Sequence, residues 1–124
     1  LLNQMMFTVI NAISAEVMAI ADYCGISKEV FYNTVASSSA ATVSGLFKEV
    51  GKSIIENGFS HPSFTIDLLV KDTNLALQMA KEANAPSVIA GIIQIYNEIA
   101  IASGLGKEDT GALYKVFKRH FTDK

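Results

Sequence analysis

Apolar residues recur at three- and four-residue steps along almost the whole chain, and no stretch alternates as a half-buried strand would. From Leu1 to Tyr23 apolar side chains occupy most faces, with Asn11, Ser14 and Glu16 as the polar exceptions. That pattern predicts one long helix central to its domain. Gly25 supplies the left-handed residue that ends it, and Ser27 caps a short helix over Lys28–Ala36 with Glu29 in its first turn. Ser37 to Thr42 reads as a small-residue loop or helix start. A further helix over Thr42–Asn57 carries Leu46, Phe47, Val50, Ile54 and Ile55, with Gly51 as a break or bend and Asn57-Gly58 as its closing turn.

The stretch Ser60 to Ala83 has the clearest one-sided pattern. Leu68, Leu69, Leu75, Ala76, Met79, Ala80 and Ala83 mark the face expected to pack, and Ser63 is the candidate N-cap. On an ideal helix Asp72 falls inside that stripe and Lys71 beside it, one turn after Asp67. Pro86 is expected at the first position of a helix running to Ser103, so rich in isoleucine that it reads as buried on two sides. Gly104-Leu105-Gly106 is a turn, and Lys107 to Thr110 opens a last helix lined by Leu113, Val116, Phe117 and Phe121. The pattern predicts an all-α domain of six or seven helices joined by short connections.

Composition and the chain's extent sharpen this. The 124 residues suffice for one domain with a real core. Half of them are hydrophobic and 18% charged, so part of the apolar surface is expected to be covered by another domain or subunit. A net charge of −2 with scattered basic residues argues against a nucleic-acid partner. The single cysteine, Cys24, reads as a buried small hydrophobe and, with no disulfide to form, fits a reducing, cytoplasmic location. No uninterrupted apolar run reaches the roughly 18 residues of a membrane span, because polar residues such as Asn11, Glu16, Gln94 and Asn97 break the candidates. The chain starts in mid-helix, without an initiator Met or a basic leader, and reads as a fragment of a longer protein.

Few residues suggest chemistry by themselves. Gly104-x-Gly106 follows a helix and lacks both a third glycine and a preceding strand, so it reads as a helix C-cap and not a dinucleotide loop. His61 and His120 have no metal-ligand spacing, and no metal site is expected. Glu16 and Glu98 read as satisfied or exposed carboxylates. Lys71 can bind a ligand or, if desolvated, exchange a proton, but from the residues alone Lys71-Asp72 reads as a structural pair.

Four segments, in order, carry a family resemblance: Leu1-Leu2-Asn3-Gln4; Ala15-Glu16 with Cys24-Gly25-Ile26; Phe59 to Phe64 followed by Asp67 to Asp72; and Gly104 to Asp109. Together they resemble the C-terminal domain of the β-hydroxyacid dehydrogenases, which include 3-hydroxyisobutyrate dehydrogenase and tartronate semialdehyde reductase. The resemblance implies an all-α domain of the 6-phosphogluconate dehydrogenase C-terminal type over residues 1–124, preceded by a Rossmann domain for NAD or NADP. It implies a catalytic lysine just before Leu1, substrate binding by Asn3 and Phe64, cofactor binding by Lys71, and support of the lysine region by Asp72. The implied partners are a small β-hydroxy acid or its semialdehyde and a second copy of the protein. Gln4 departs from the family's usual second asparagine, which leaves the substrate open. The competing readings are a non-catalytic helical dimerisation module, and a related imine reductase or 6-phosphogluconate dehydrogenase-like enzyme.

Overall fold

The computed structural model describes residues 1–39 and 42–122, with the Thr122 side chain left out. It is all-α, as the periodicity predicts. Six helices run in the order α1 (Leu2–Tyr23), α2 (Lys28–Ala36), α3 (Gly45–Glu56), α4 (Ile66–Glu82), α5 (Val88–Ala102) and α6 (Leu113–Thr122), and one 3-10 turn, Thr110–Ala112, precedes α6. No strand occurs among the described residues. The expected loop at Ser37–Thr42 includes Ala40 and Ala41, which lie outside the described residues.

α1 is the hub, packing on α3, α4, α5 and α6. Its inward side from Ala12 to Ala21 is built of small residues around Met18, which lets the other helices approach closely. By length and composition α1 is apolar enough to cross a membrane, contrary to the expectation that no segment is. In the fold, 44% of that apolar window is buried inside the domain. The helix ends as expected at Gly25, whose φ of +85° allows Ile26 N–H to reach the Ala21 carbonyl and Gly25 N–H the Asp22 carbonyl. Just before this turn Asp22 accepts from Lys118 and from the Tyr114 hydroxyl of α6. The lysine's hydrogen bond, more than its charge, holds the Asp22 carboxyl below its usual range. Burial and the same carboxylate push the Tyr114 phenol above its own.

Ser27 caps α2 as expected, accepting from Val30 N–H at 3.3 Å. α3 starts later than expected, because Ser44 takes an extended backbone and caps it through Phe47 N–H. Gly51 does not break it. It is buried where Tyr32 of α2 crosses, and a Cβ there would meet the tyrosine ring. Cys24 is exposed and not buried, because as the C-cap residue of α1 it lies in the turn that leaves the core.

The largest departures concern α4 and α5. The N-cap of α4 is Thr65, not Ser63: its hydroxyl accepts from Leu68 N–H at 3.2 Å. Thr65 is extended because it forms an antiparallel bridge with Asp109. The buried face of α4 is Ile66, Leu69, Thr73 and Ala76, while Leu68, Leu75 and Met79 of the expected stripe are 47%, 48% and 39% exposed. α5 begins at Val88 with Ser87 as N-cap, so Pro86 precedes the helix instead of opening it. Nor is α5 buried on two sides. It turns Ala90, Gln94, Asn97 and Ala100 inward and leaves Val88, Ile89, Ile92, Ile95 and Ile99 exposed.

Candidate functional site

Two loops distant in sequence meet to build the site's floor. Thr110 N–H donates to the Phe64 carbonyl and Asp109 N–H to the Phe59 carbonyl, both at 2.9 Å. Ile66 and Asp67 N–H donate to the Glu108 and Gly106 carbonyls. The segment after Gly104 is thereby zipped to the segment before α4. Gly106 leaves room there for the Asp67 carboxylate, which a Cβ would push aside. Gly104, at φ +87°, ends α5 as expected, with Leu105 N–H on the Ala100 carbonyl. Asp109 finishes the joint by accepting from Gly111 N–H and from Ser53 of α3.

This joint fixes Phe64 against α1. The Phe64 and Phe7 rings meet edge to face with centroids 5.5 Å apart. One turn earlier on α1, Gln4 Nε2 donates to Asp72 Oδ2 of α4 at 3.0 Å. The start of α1 is thus held to α4 and its preceding loop by one ring contact and one side-chain bond. Asn3 lies beside Gln4 and one turn before Phe7, and it is exposed. Lys71 is exposed too, and among the described residues it forms no ion pair. Lys71-Asp72 is therefore not the buried pair that the stripe suggests. Asp72 is half-buried with Gln4 as its partner, and Lys71 stands at the outer edge of the exposed stripe Leu68, Leu75, Met79.

These six residues fall into two groups. Gln4 with Asp72, and Phe64 with Phe7, are brought into contact, whereas Asn3 and Lys71 project without side-chain hydrogen bonds among the described residues. A cleft of about 500 Å³ opens beside Phe7 and Phe64, walled by Glu49 and Ser53 of α3 and by Asp109 and Thr110. Asn3, Lys71 and Asp72 do not line it. An exposed lysine with no carboxylate partner beside an apolar stripe is chemically suited to an anionic group, such as a phosphate, carried in by a surface that covers that stripe.

Pattern reading missed Phe7, which it left as one apolar residue among many. It also treated Gln94 and Asn97 only as interruptions of an apolar run. Both are buried, and both hydrogen-bond across helices. Two amides three residues apart in an isoleucine-rich helix were the available signal. Among the described residues no cluster of three potential metal ligands exists, and His61 sits in a loop with its Nδ1 3.1 Å from Ser60 Oγ.

The sequence model described as NAD-binding of NADP-dependent 3-hydroxyisobutyrate dehydrogenase matches residues 1–117. L-threonate dehydrogenase of Haemophilus influenzae is 32% identical over 117 residues, covering 94% of this chain and 38% of its own length. 2-(Hydroxymethyl)glutarate dehydrogenase of Eubacterium barkeri is 30% identical over 105 residues, 85% of this chain and 34% of its own. The crystal structure of a 3-hydroxyisobutyrate dehydrogenase from Salmonella typhimurium superposes with a TM-score of 0.86 at 30% identity, over 93% of this chain and 39% of that one. The chain thus spans under two fifths of the length of these relatives.

Proposed function

The chain belongs to the family of NADP-dependent 3-hydroxyisobutyrate dehydrogenases, and from that membership we propose that it is the C-terminal helical domain of an NAD(P)-dependent β-hydroxyacid dehydrogenase. Its part is to close the active-site cleft over a Rossmann domain and to form part of a homodimer interface. The coverage of the relatives, at 34–39% of their length, fits a domain of this size in a two-domain chain.

In this reading Asn3 hydrogen-bonds the substrate, Phe64 walls the cleft, Lys71 reaches the cofactor and Asp72 supports the lysine region through Gln4. NAD(P) supplies the hydride acceptor or donor. A lysine just before Leu1 takes the hydroxyl proton during oxidation and returns it to the carbonyl oxygen during reduction. The observation that carries the reading is the Gln4–Asp72 bond, because it joins the turn bearing Asn3 to the turn bearing Lys71. The exposed faces of α4 and α5 supply the apolar surface that a Rossmann domain and a second subunit cover. The substrate class is a small β-hydroxy acid or its semialdehyde, of the 3-hydroxyisobutyrate or 2-hydroxy-3-oxopropionate type.

The test uses the full-length enzyme and the isolated chain side by side, with NAD⁺ or NADP⁺ and 3-hydroxyisobutyrate, L-threonate or 2-(hydroxymethyl)glutarate. The full-length protein is expected to reduce the nucleotide with at least one acid, and the isolated chain with none. Lys71→Ala in the full-length protein is expected to raise the KM for nucleotide about tenfold, as loss of one charge-assisted phosphate contact would. Turnover by the isolated chain, or an unchanged Lys71→Ala enzyme, refutes the corresponding part.

A further inference from the structure

Before Asn11 the apolar residues of the first helix are at most half-buried, Met5, Phe7, Val9 and Ile10 among them. Of its residues before Asn11 only Thr8 is buried, and Leu2 and Met6 are 65% and 63% exposed. Beside the Phe7–Phe64 ring contact, its hold on the rest of the domain includes a buried polar ladder. Asn97 Nδ2 of α5 donates to Thr8 Oγ1 at 2.8 Å and lies 3.4 Å from Gln94 Oε1. Gln94 Nε2 donates onward to the Val70 carbonyl and to Asn74 Oδ1, both at 2.9 Å. The Val70 carbonyl belongs to the peptide unit that continues into Lys71. Two polar links therefore leave the start of α1 and arrive on either side of Lys71. One runs from Gln4 to Asp72, and the other from Thr8 through Asn97 and Gln94 to Val70.

We infer that Gln94 and Asn97 are positioning residues, which fix Lys71 of α4 relative to the Asn3 turn of α1. The inference rests on the reading of Lys71 and Asn3 given above. Burying this ladder is costly, since Asn97 Oδ1 and the nearby helix's Thr73 Oγ1 are buried without a hydrogen-bond partner among the described residues. An apolar α5 face would fill the same space at less cost, and α5 has isoleucines in plenty on its other side. What hydrogen bonds add over apolar contact is register. A helix resting on apolar contacts can slide or rotate by fractions of an ångström, whereas a shared donor and acceptor fix one setting.

The experiment is a double-mutant cycle in the full-length enzyme, read as the dissociation constant for NADPH and NADH by nicotinamide fluorescence. Gln94→Met keeps the side chain's length and removes both donors. It is expected to weaken binding of the preferred nucleotide about tenfold in the native background and less than about twofold in Lys71→Ala, because its effect passes through the lysine. Equal losses in both backgrounds overturn the positioning role and leave an ordinary structural one. An unchanged affinity in Lys71→Ala alone overturns the reading of Lys71, and the ladder's purpose with it. Should Gln94→Met not fold, Thr8→Val, which removes one hydroxyl at constant shape, is carried through the same cycle with the same criterion, and Thr8→Ser is expected to restore native binding.

Discussion

α5 and α6 are neighbours built on opposite plans. α6 turns Leu113, Tyr114, Val116 and Phe117 inward and Arg119 and His120 outward, the usual arrangement of a helix that completes a core. α5 turns two amides and two alanines inward and its valine and most of its isoleucines outward. The domain's own stability therefore rests on α6 with α1 and α3, where the buried apolar cluster lies. α5 contributes Ile93 and Tyr96 at the edge of that cluster, a buried amide pair on the inside and an apolar surface on the outside. A helix whose apolar side faces away from its own core fits the proposed covering by another domain or subunit.

The sharpest way to break this contrast is to truncate a large side chain on each helix. Phe117→Ala, at a residue 4% exposed, is expected to cost about 3–5 kcal/mol in urea denaturation of the chain. If the loss is under about 1 kcal/mol, α6 is not the anchor described.

A smaller effect is expected at the α1–α6 clamp. The Asp22 carboxyl is held below its usual value of 3.8 chiefly by the hydrogen bond from Lys118. Because the folded value is the lower one, the stabilisation is present above the unfolded value and fades as pH falls through the folded one. Asp22 is 33% exposed and Lys118 27%, so solvent screening limits Asp22→Asn to about 1 kcal/mol or less at pH 7. The gap between the two proteins is expected to close as melts are repeated at pH values below about 4. A gap that persists there would mean that the clamp acts through packing and not charge.

The smallest expected effect on stability is the most telling about α5. Ile92→Ser, at a residue 53% exposed, is expected to change the domain's unfolding free energy by no more than about 0.5 kcal/mol. If the full-length protein dimerises as proposed, the same substitution is expected to raise the dissociation constant of that dimer, measured by sedimentation. Intact association with lost stability would invert the roles assigned to the two helices.

Much of the local structure was legible because it is decided within one turn. Ser27 caps α2 through a bond to Val30, and Gly25 and Gly104 end their helices because the backbone there needs a positive φ. The site was legible only in pieces. Lys71 and Asp72 stood out as polar residues in an apolar stripe, and the family resemblance singled out Asn3 and Phe64. Nothing in the pattern joined Gln4 to Asp72 or Phe7 to Phe64, since these partners lie 68 and 57 residues apart and meet only when α1 and α4 pack.

By itself the sequence determined that the chain is helical, where most helices stop to within a residue or so, and which family it joins, because each depends on short-range spacing or on short motifs. The tertiary structure alone decided which side of each helix faces inward. Periodicity reveals that α4 and α5 have apolar stripes, but the buried side is the one that fits the neighbouring helices. For α4 that is Ile66, Leu69, Thr73 and Ala76, and for α5 the small and amide residues around Asn97. Close packing against the small-residue side of α1 favours these faces over the bulkier ones, so the leucines and isoleucines expected to be core became the domain's outer surface.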